Sequence, residues 1–307
     1  MPAFELEVEE SDAGQRLDVT LARRVPSLSR GRARALIEAG GVRVGGRLVR
    51  KGCILSVGDR ITIEILPGTS DFHALPDPDL PLAVLVETDD FVVVDKPAGV
   101  PSHPLREDER GTLAGALVAR YPEMREVGYS RREPGIVHRL DTDTSGVILA
   151  ARNPEAFRSL REQLQAGKIE KRYLARCVGM VAAPQVIETP IANDPRDRRK
   201  VRACFDAREA KRLGAQPATT EVLASWPAMH GSLVEVRANR ARRHQVRVHL
   251  ASIGHPLLGD TLYGGPRLEN PDHHLLHALT ITIGTRSIST TTWNHKTSAP
   301  KIAAPDH

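Results

Sequence analysis

Apolar and polar positions in the first 66 residues predict two helices followed by short strands. Leu17 and Leu21 lie on one face of the first helix, and the second helix begins at Ser29, a good N-cap residue, and ends at Gly40-Gly41. Alternating apolar residues then predict strands at 42–44, 48–49 and 61–65.

Proline-rich and polar stretches divide the rest of the chain. Residues 67–81 contain four prolines and few residues that build a core, so we expect a linker there. Residues 285–307 are polar and rich in Ser and Thr, and we expect a poorly ordered tail. The predicted organisation is a small basic module over 1–66, this linker, a larger unit over 82–284, and the tail.

The larger unit mixes strands and short helices without internal repeats. Apolar runs at 82–86, 91–94 and 147–150 predict buried strands, and the segment 244–253, which Gly254 ends, predicts a helix. Because the elements show no regular strand–helix alternation, they favour an α+β fold over a doubly wound parallel sheet.

Basic residues are concentrated in the small module. The chain has a formal net charge of +5, whereas residues 14–66 hold eleven Arg or Lys against four acids, a local surplus of seven. A basic module on a nearly neutral body indicates binding to a polyanion, and the alternative is a basic surface that is only solvated. Four arginines of the module are candidate contacts to nucleic acid: Arg30, Arg34, Arg43 and Arg47.

Composition argues against several classes of protein. No run of about 18 apolar residues is present, and the acidic start of the chain lacks the features of a signal peptide. Cys53, Cys177 and Cys204 are isolated, which argues against a disulfide framework or a structural zinc site and favours the cytoplasm. Neither glycine-rich nucleotide loops nor histidines at metalloprotease spacing occur, so we expect no cofactor and no metal.

The segment 135–150, GIVHRLDTDTSGVILA, sets a single carboxylate in an unusual place. Asp141 stands in a hydroxyl-rich turn directly before an apolar strand, where a carboxylate emerges at the rim of a core. The neighbouring Arg139 can stabilise the charged carboxylate or bind a phosphate. The alternative is an aspartate that only caps its own turn.

Three further segments are candidates for a functional site. Residues 95–104 form a Pro- and Gly-rich loop, which is either a rigid connection or part of a site. Lys171 and Tyr173 share one face of a predicted strand, where the ring offers a surface for a base to stack on, or else the strand is merely amphipathic. Arginines just before the helix at 244–253 are placed to bind phosphate, or form a solvated basic surface.

Asp141 and Asp143 also raise the possibility of a glycosidase carboxylate pair. Two residues apart in an extended turn, they stand too close to flank a sugar ring, for which about 5–9 Å is needed. A single carboxylate with basic neighbours fits the sequence better.

Taken together, these segments resemble the RluA-like pseudouridine synthases of the RluC/RluD type. His138–Gly146 is similar to the HRLDxxTSG signature of that family, and four other motifs follow the family order: DKPAG at 95–99, KxY at 171–173, RxHQxRVH at 242–249, and GDTLYG at 259–264. Residues 14–66 resemble the RNA-binding module first described in a ribosomal small-subunit protein. One departure is Ala241-Arg242-Arg243-His244, where the family usually has Gly-Arg-Thr-His.

The resemblance implies a pseudouridine synthase fold, with a mixed, largely antiparallel sheet and a central cleft behind a small α+β module. It also implies that Asp141 is the catalytic aspartate, that Tyr173 stacks on the target base, and that Arg247 pairs with Asp141. Arg139 would fill the gap left by the extracted uridine. The other residues that it places beside RNA are Lys171, Arg242, His244 and Gln245.

The predicted function is therefore isomerisation of uridine to pseudouridine in structured RNA, with large-subunit ribosomal RNA favoured over tRNA and no cofactor. Whether the aspartate acts as a nucleophile or starts an elimination stays open. Two alternatives also remain: a non-catalytic RNA-binding or ribosome-assembly factor, and an RNA glycosidase. No membrane and no obligate protein partner is implied, and we expect a monomer in the cytoplasm.

Overall fold

The computed structural model describes residues 4–25, 28, 30–50, 52–63, 72–290 and 301–302. The chain forms two compact units. One comprises Met1–His73 and Gly128–Arg132, and the other comprises Ala74–Val127 and Glu133–His307.

The first unit is a small α+β module. Its elements are β1 (Phe4–Glu7), α1 (Leu17–Arg24), α2 (Arg30–Glu38), β2 (Val42–Val44), β3 (Arg47–Leu48) and β4 (Arg60–Ile63), and a 3₁₀ turn spans Glu10–Asp12. The strands form an antiparallel sheet in the order β1-β4-β2-β3. Leu17, Leu21, Leu55 and Ile61 are fully buried between the helices and the sheet. Both predicted helices and the predicted strands are confirmed, whereas Ser29 and residues 64–65 lie outside the described residues.

The second unit is built on one large sheet. Its strands are β5 (Ala83–Glu87), β6 (Phe91–Lys96), β7 (Ser145–Ala151), β8 (Glu170–Val178), β9 (Gln185–Ile187), β10 (Ile191–Asn193), β11 (Val201–Ala203), β12 (Thr220–Ala228), β13 (Gly231–Arg237), β14 (Leu268–Asn270), β15 (Leu276–Ile283), β16 (Arg286–Ser289) and β17 (Lys301–Ile302). Nine of them form a sheet in the order β5-β6-β7-β15-β8-β13-β12-β9, with β16 also paired to β15. Within this sheet the described strand pairs are antiparallel apart from β7 and β15.

Three of the four α-helices described in the second unit begin at side chains that cap them. The capped helices are α3 (Leu113–Arg120), α4 (Pro154–Gln165) and α5 (Ala207–Leu213), the fourth is α6 (Gln245–Ser252), and 3₁₀ turns span Pro122–Glu126 and Thr261–Tyr263. Asn153 caps α4 by accepting a hydrogen bond from the Ala156 N–H at 2.8 Å, and Pro154 occupies the first helical position, where its missing N–H costs nothing. The predicted helix at 244–253 and the predicted α+β class with a mixed, largely antiparallel sheet are confirmed.

The strand β15 lies between β7 and β8 in the large sheet. His277 pairs with Ser145 of β7, and Ala278 pairs with Tyr173 of β8. At Gly146 (φ +113°) an added Cβ would lie 2.2 Å from the Ala278 carbonyl oxygen, so only glycine allows the two backbones to approach this closely.

Two predicted boundaries need correction. The predicted linker over 67–81 is wrong for its second half, because Ala74 is buried in the core and Asp77 bonds to the backbone of Gly111 and Gly115. The predicted tail over 285–307 is wrong for Arg286–Ser289, which pairs with β15 after a tight turn at Gly284 (φ +58°) and anchors itself through buried Ile288. Residues 67–71, 291–300 and 303–307 lie outside the described residues.

Candidate active site

Asp141 lies at the edge of a pocket in the second unit. The Thr144 N–H bonds to the Asp141 carbonyl oxygen at 3.1 Å, which closes the predicted turn just before β7. The carboxylate itself is not used by that turn, and the side chain is 23% exposed. The pocket has a volume of about 300 Å³ and is lined by Asp141 together with the other candidates from its unit: Arg139, Lys171, Tyr173, Arg242, His244, Gln245 and Arg247.

Arg247 joins two carboxylates. Its Nη1 donates to Asp141 Oδ2 at 2.9 Å, while Nε and Nη2 donate to Asp260 at 2.7 and 2.8 Å. Burial lowers the pKa of Arg247, but the hydrogen bonds and charges of Asp260 and Asp141 outweigh this and raise the pKa above its ordinary value. A permanently charged guanidinium is thus fixed against the Asp141 carboxylate, which is the pairing that the resemblance implies.

Residues of the loop at 95–104 form hydrogen bonds to the backbone on both sides of Asp141. Lys96 is fully buried, and its Nζ donates to the carbonyl oxygens of Pro97, Val100 and Thr142 at 2.7–2.9 Å. Ser102 adds a hydrogen bond from its hydroxyl to the Leu140 carbonyl at 2.8 Å. Of the two interpretations of this loop, rigid connection or part of a site, the structure favours a rigid support that positions the residues on either side of Asp141.

Two histidines form hydrogen bonds to the hydroxyl groups that follow Asp141 in the same turn. His274 Nε2 lies 2.8 Å from the Thr144 hydroxyl, and His277 Nδ1 lies 2.8 Å from the Ser145 hydroxyl. Burial, followed by the charge of Arg247, lowers the pKa of His274 to about 3, so this ring is neutral at physiological pH. These histidines therefore act as hydrogen-bonding groups that fix the turn.

Lys171 and Tyr173 form one wall of the pocket. Both project from the same face of β8, and they are 6% and 5% exposed. The ring of Tyr173 is therefore not exposed on the protein surface. A base can stack on it only by entering the pocket.

His244 connects the Asp141 carboxylate with Tyr263. Its Nδ1 lies 2.8 Å from the Tyr263 hydroxyl, and its Nε2 lies 3.8 Å from Asp141 Oδ1. The Val201 N–H donates to the same hydroxyl at 3.0 Å, and the Tyr263 ring packs against Arg247. Burial lowers the pKa of His244, which favours the neutral imidazole.

The remaining candidates of this unit differ in exposure. Arg139 is half exposed, and its Nη1 lies 3.4 Å from both Glu133 and His103, so the guanidinium stands at the mouth of the pocket. Gln245 is buried, and its amide bonds to the backbone of Arg242 and Thr219. Gln245 also lines the pocket, so its predicted place beside the RNA stays a prediction, while its hydrogen bond to the Arg242 N–H holds the backbone before α6.

The candidate arginines of the module surround a buried acid. Asp18 is 3% exposed and accepts a hydrogen bond from Nε of Arg30 at 2.9 Å, of Arg34 at 2.8 Å and of Arg16 at 2.8 Å. Arg30 and Arg34 remain 52% and 40% exposed. Arg43 and Arg47 lie on the hairpin of β2 and β3, and Arg47 is exposed.

Sequence reasoning did not assign a role to Asp260, Lys96, Tyr263 or Asp18. Lys96 ends the apolar strand β6, but lysine side chains are seldom fully buried, so only the fold shows its position. Asp260 and Tyr263 lie in the run 259–264 that the resemblance included, but only the fold brings them to Arg247 and His244.

The described residues contain no group of three or more His, Cys, Asp or Glu side chains arranged to hold a metal ion. Among the helices of those residues, none has the length and apolar character needed to span a bilayer.

Comparisons with known proteins agree with this arrangement. A family model described as RNA pseudouridylate synthase matches residues 90–252, and an S4 domain model matches residues 15–61. A protein of Xanthomonas campestris named ribosomal large subunit pseudouridine synthase D is 38% identical over 84% of this chain and 74% of its own length. An RNA pseudouridine synthase of Aquifex aeolicus is 38% identical over 85% of this chain and 79% of its own length.

Solved structures support the fold. Human RNA Pseudouridylate Synthase Domain Containing 1 has a TM-score of 0.56 at 24% identity and covers 75% of this chain and 93% of its own. Human RNA Pseudouridylate Synthase Domain Containing 4 has a TM-score of 0.52 at 21% identity over 69% and 89%. The family model covers more than half of the chain, and the two bacterial relatives extend the similarity over most of it. The chain therefore belongs to the RNA pseudouridylate synthase family and is an RNA pseudouridine synthase with an S4 domain near its N-terminus.

Proposed function

We propose that this enzyme isomerises uridine in large-subunit ribosomal RNA, that Asp141 is its catalytic group, and that the target base is flipped into the pocket. The observation that carries the proposal is the position of the Asp141 carboxylate, which is partly exposed in the pocket and bonded to buried Arg247. Ribosomal RNA is proposed because the relative from Xanthomonas campestris is named for the large ribosomal subunit.

The target base has to leave its stack to reach Asp141. Unstacking costs a few kcal/mol, which contacts of the flipped base and of the vacated site must offset. Tyr173 supplies a ring inside the pocket for the base, and Arg139 at the mouth is placed to occupy the vacated position. The exposed arginines Arg30 and Arg34 add phosphate contacts from the S4 domain.

Asp141 then acts on the ribose. As a nucleophile it forms a bond to C1′ while the C1′–N1 bond breaks, and as a base it removes the 2′ proton while the same bond breaks. In either case the electron pair leaves with the ring, the ring turns, and C5 bonds to C1′. As C5 bonds to C1′, the bond between Asp141 and C1′ breaks in the first route, and the 2′ proton returns to C2′ in the second. The C5 proton is lost and N1 gains a proton, so atoms and electrons balance without oxidation or reduction. This isomerisation calls for no cofactor, and we propose that none takes part.

Arg247 orients the Asp141 carboxylate before either step. Removing the first hydration shell of a carboxylate is costly, and a fixed guanidinium at 2.9 Å replaces that water. Excluding water also protects the intermediate, because hydrolysis at C1′ would release the base. We propose that the enzyme acts as a monomer.

One assay separates this proposal from the two alternatives. The enzyme is incubated with ribosomal RNA that lacks modification, the RNA is digested, and the nucleosides are separated by mass spectrometry and chromatography. Pseudouridine at discrete positions supports the proposal. Free uracil would show a glycosidase, and unchanged uridine with tight RNA binding would show a non-catalytic binding factor. tRNA in a parallel reaction tests the substrate class.

A further inference from the structure

Lys171 is a buried cation on the wall of the pocket. The residue is 6% exposed, and its side chain lines the same pocket as Asp141 and Tyr173. No hydrogen bond or ion pair to its Nζ occurs among the residues that the structure describes. A buried ammonium without an acceptor is costly, so its position needs an explanation.

The other buried cations of the site are compensated. Lys96 donates to three carbonyl oxygens, and Arg247 binds two carboxylates. The surroundings of Lys171 are instead unfavourable, because burial and the charge of Arg161 lower the pKa of Lys171 to about 8. His138 also faces Lys171, and burial and the lysine charge hold the pKa of this histidine well below its ordinary value.

A ligand that enters the pocket can supply the missing acceptor. If a uridine enters the pocket to meet Asp141 and Tyr173, the groups within reach of the wall are those of its ring. Uracil offers two carbonyl oxygens, O2 and O4, as acceptors. When the C1′–N1 bond breaks, the departing pair is shared between N1 and these two oxygens, so negative charge develops where a cation is most effective.

We propose that Lys171 binds a carbonyl oxygen of the flipped uracil and stabilises the negative charge on the ring while its bond to the ribose is broken. This inference rests on the proposed function. It makes Lys171 a catalytic residue, complementary to Asp141: the carboxylate acts on the sugar, and the ammonium acts on the leaving base. When C5 bonds to C1′, the pair returns to a covalent bond, and Lys171 keeps its proton throughout.

A phosphate is the other acceptor that a lysine could bind. Lys171 lies on the wall of the pocket beside Tyr173, and both are more than nine-tenths buried, whereas the backbone of a flipped nucleotide stays at the mouth. Burial therefore favours contact with the base. A phosphate contact would appear in the test below as weaker binding with a shallower salt dependence.

The experiment compares wild type, Lys171→Met and Lys171→Arg, with Lys168→Met as the matched control. Lys168 is exposed and lies outside the pocket. Single-turnover rates are measured at saturating RNA, and Kd is measured separately. We expect Lys171→Met to be 10²–10³-fold slower with Kd changed less than threefold, Lys171→Arg to recover part of the rate, and Lys168→Met to match wild type.

A second arm uses RNA with 5-fluorouridine at the target position. Fluorine at C5 stabilises the ring anion, so the chemistry needs the lysine less. We expect the defect of Lys171→Met in loss of the parent nucleoside to shrink at least tenfold on this substrate. An equal defect on both substrates would overturn the role of Lys171.

Thermal unfolding completes the test. Since Lys171 is an uncompensated charge, Lys171→Met should be at least as stable as wild type, and a variant that does not fold would contradict the inference. A rate unchanged in Lys171→Met, or a rise in Kd that accounts for the whole defect, would contradict it as well. The proposed function fails separately, if wild type itself forms no pseudouridine.

Discussion

Arg247 and Asp260 form a buried ion pair in which Nε and Nη2 of the guanidinium each donate to one carboxylate oxygen, at 2.7 and 2.8 Å. Two parallel bonds fix the plane of a guanidinium as well as its position. The remaining nitrogen, Nη1, is thereby aimed at Asp141. Asp260 thus positions the proposed catalytic carboxylate through Arg247, although it has no contact with the substrate pocket of about 300 Å³ described above.

Asp260→Asn should reduce both stability and rate. The change leaves a buried guanidinium with one neutral partner, which costs on the order of 3 kcal/mol. A shift of Arg247 by about 1 Å would slow the reaction roughly 100-fold. Thermal unfolding and single-turnover rates measure the two effects, and Kd for RNA should be unchanged. The exposed Asp108→Asn is the control. Equal rates for Asp260→Asn and wild type would argue against the positioning role.

Asp141→Asn should abolish conversion and leave RNA binding within about threefold of wild type. The amide has nearly the same shape, but it is neither a nucleophile nor a base at neutral pH. Conversion is followed by pseudouridine in digests of RNA, and binding is followed by filter retention. Asp143→Asn is the matched control from the same turn, and it should retain most of the activity. If both substitutions were equally damaging, a pair of carboxylates would have to be considered again.

The Arg30→Gln/Arg34→Gln double variant should bind RNA more weakly and with a shallower dependence on salt. Each phosphate contact that is lost reduces the slope of log K against log salt by about 0.7–0.9, so two should reduce it by about 1.4–1.8. The rate at saturating RNA should stay near wild type. Arg212→Gln, an exposed change on α5, should leave the slope as it is. An unchanged slope in the double variant would remove both arginines from the RNA interface.

Acid should loosen the S4 domain through Asp18. Burial raises the pKa of Asp18, but its hydrogen bonds from Arg16, Arg30 and Arg34 outweigh this, so that the pKa lies well below its ordinary value. A lowered pKa in the folded state contributes stability above the unfolded value of about 3.9, and that stability is lost as the pH falls below it.

We therefore expect amide protection in α1 and α2 to decrease below about pH 4, after correction for the intrinsic exchange rate. Asp18→Asn should show reduced protection already at pH 7 and a flatter profile. Hydrogen exchange followed by mass spectrometry on the full chain measures this, with the strands of the second unit as the internal reference. Protection in the variant that matched wild type at pH 7 would show that the arginines do not depend on Asp18.

Local patterns were sufficient to predict most elements, because each depends on neighbours in the sequence. The turn before β7, the strand with Lys171 and Tyr173, and the helix after His244 all follow from spacing, glycine and capping rules. The strand at Arg286–Ser289 was missed because three of its four residues are polar. Its stability comes from pairing with β15 and from one buried residue, Ile288, which are contacts that composition does not show.

The sequence was sufficient to predict several residues of the site, but not the hydrogen bonds and ion pairs between them. The motifs pointed to Asp141, Tyr173 and Arg247, but the partners of these residues are far away in sequence. Asp260 reaches Arg247 only because the segment after α6 folds back, and Lys96 reaches the Thr142 carbonyl across 46 residues. The hydrogen bonds of the Gln245 amide to the backbone of Arg242 and Thr219 were likewise not predicted, because they depend on how the chain packs around this side chain. Burial and long-range pairing are what a single sequence leaves open.

The placement of β15 between β7 and β8 fixes the distance between the backbone next to Asp141 and the backbone of Tyr173. Neighbouring strands are about 4.8 Å apart, so the backbone that leads from Asp141 and the backbone that carries Tyr173 are separated by two such spacings, about 9.6 Å. Backbone hydrogen bonds between the strands maintain this distance. Gly146 allows β7 and β15 to approach closely, which sets the first of the two spacings. The distance between these two backbones is therefore set by the sheet and does not depend on the conformation of the surface loops.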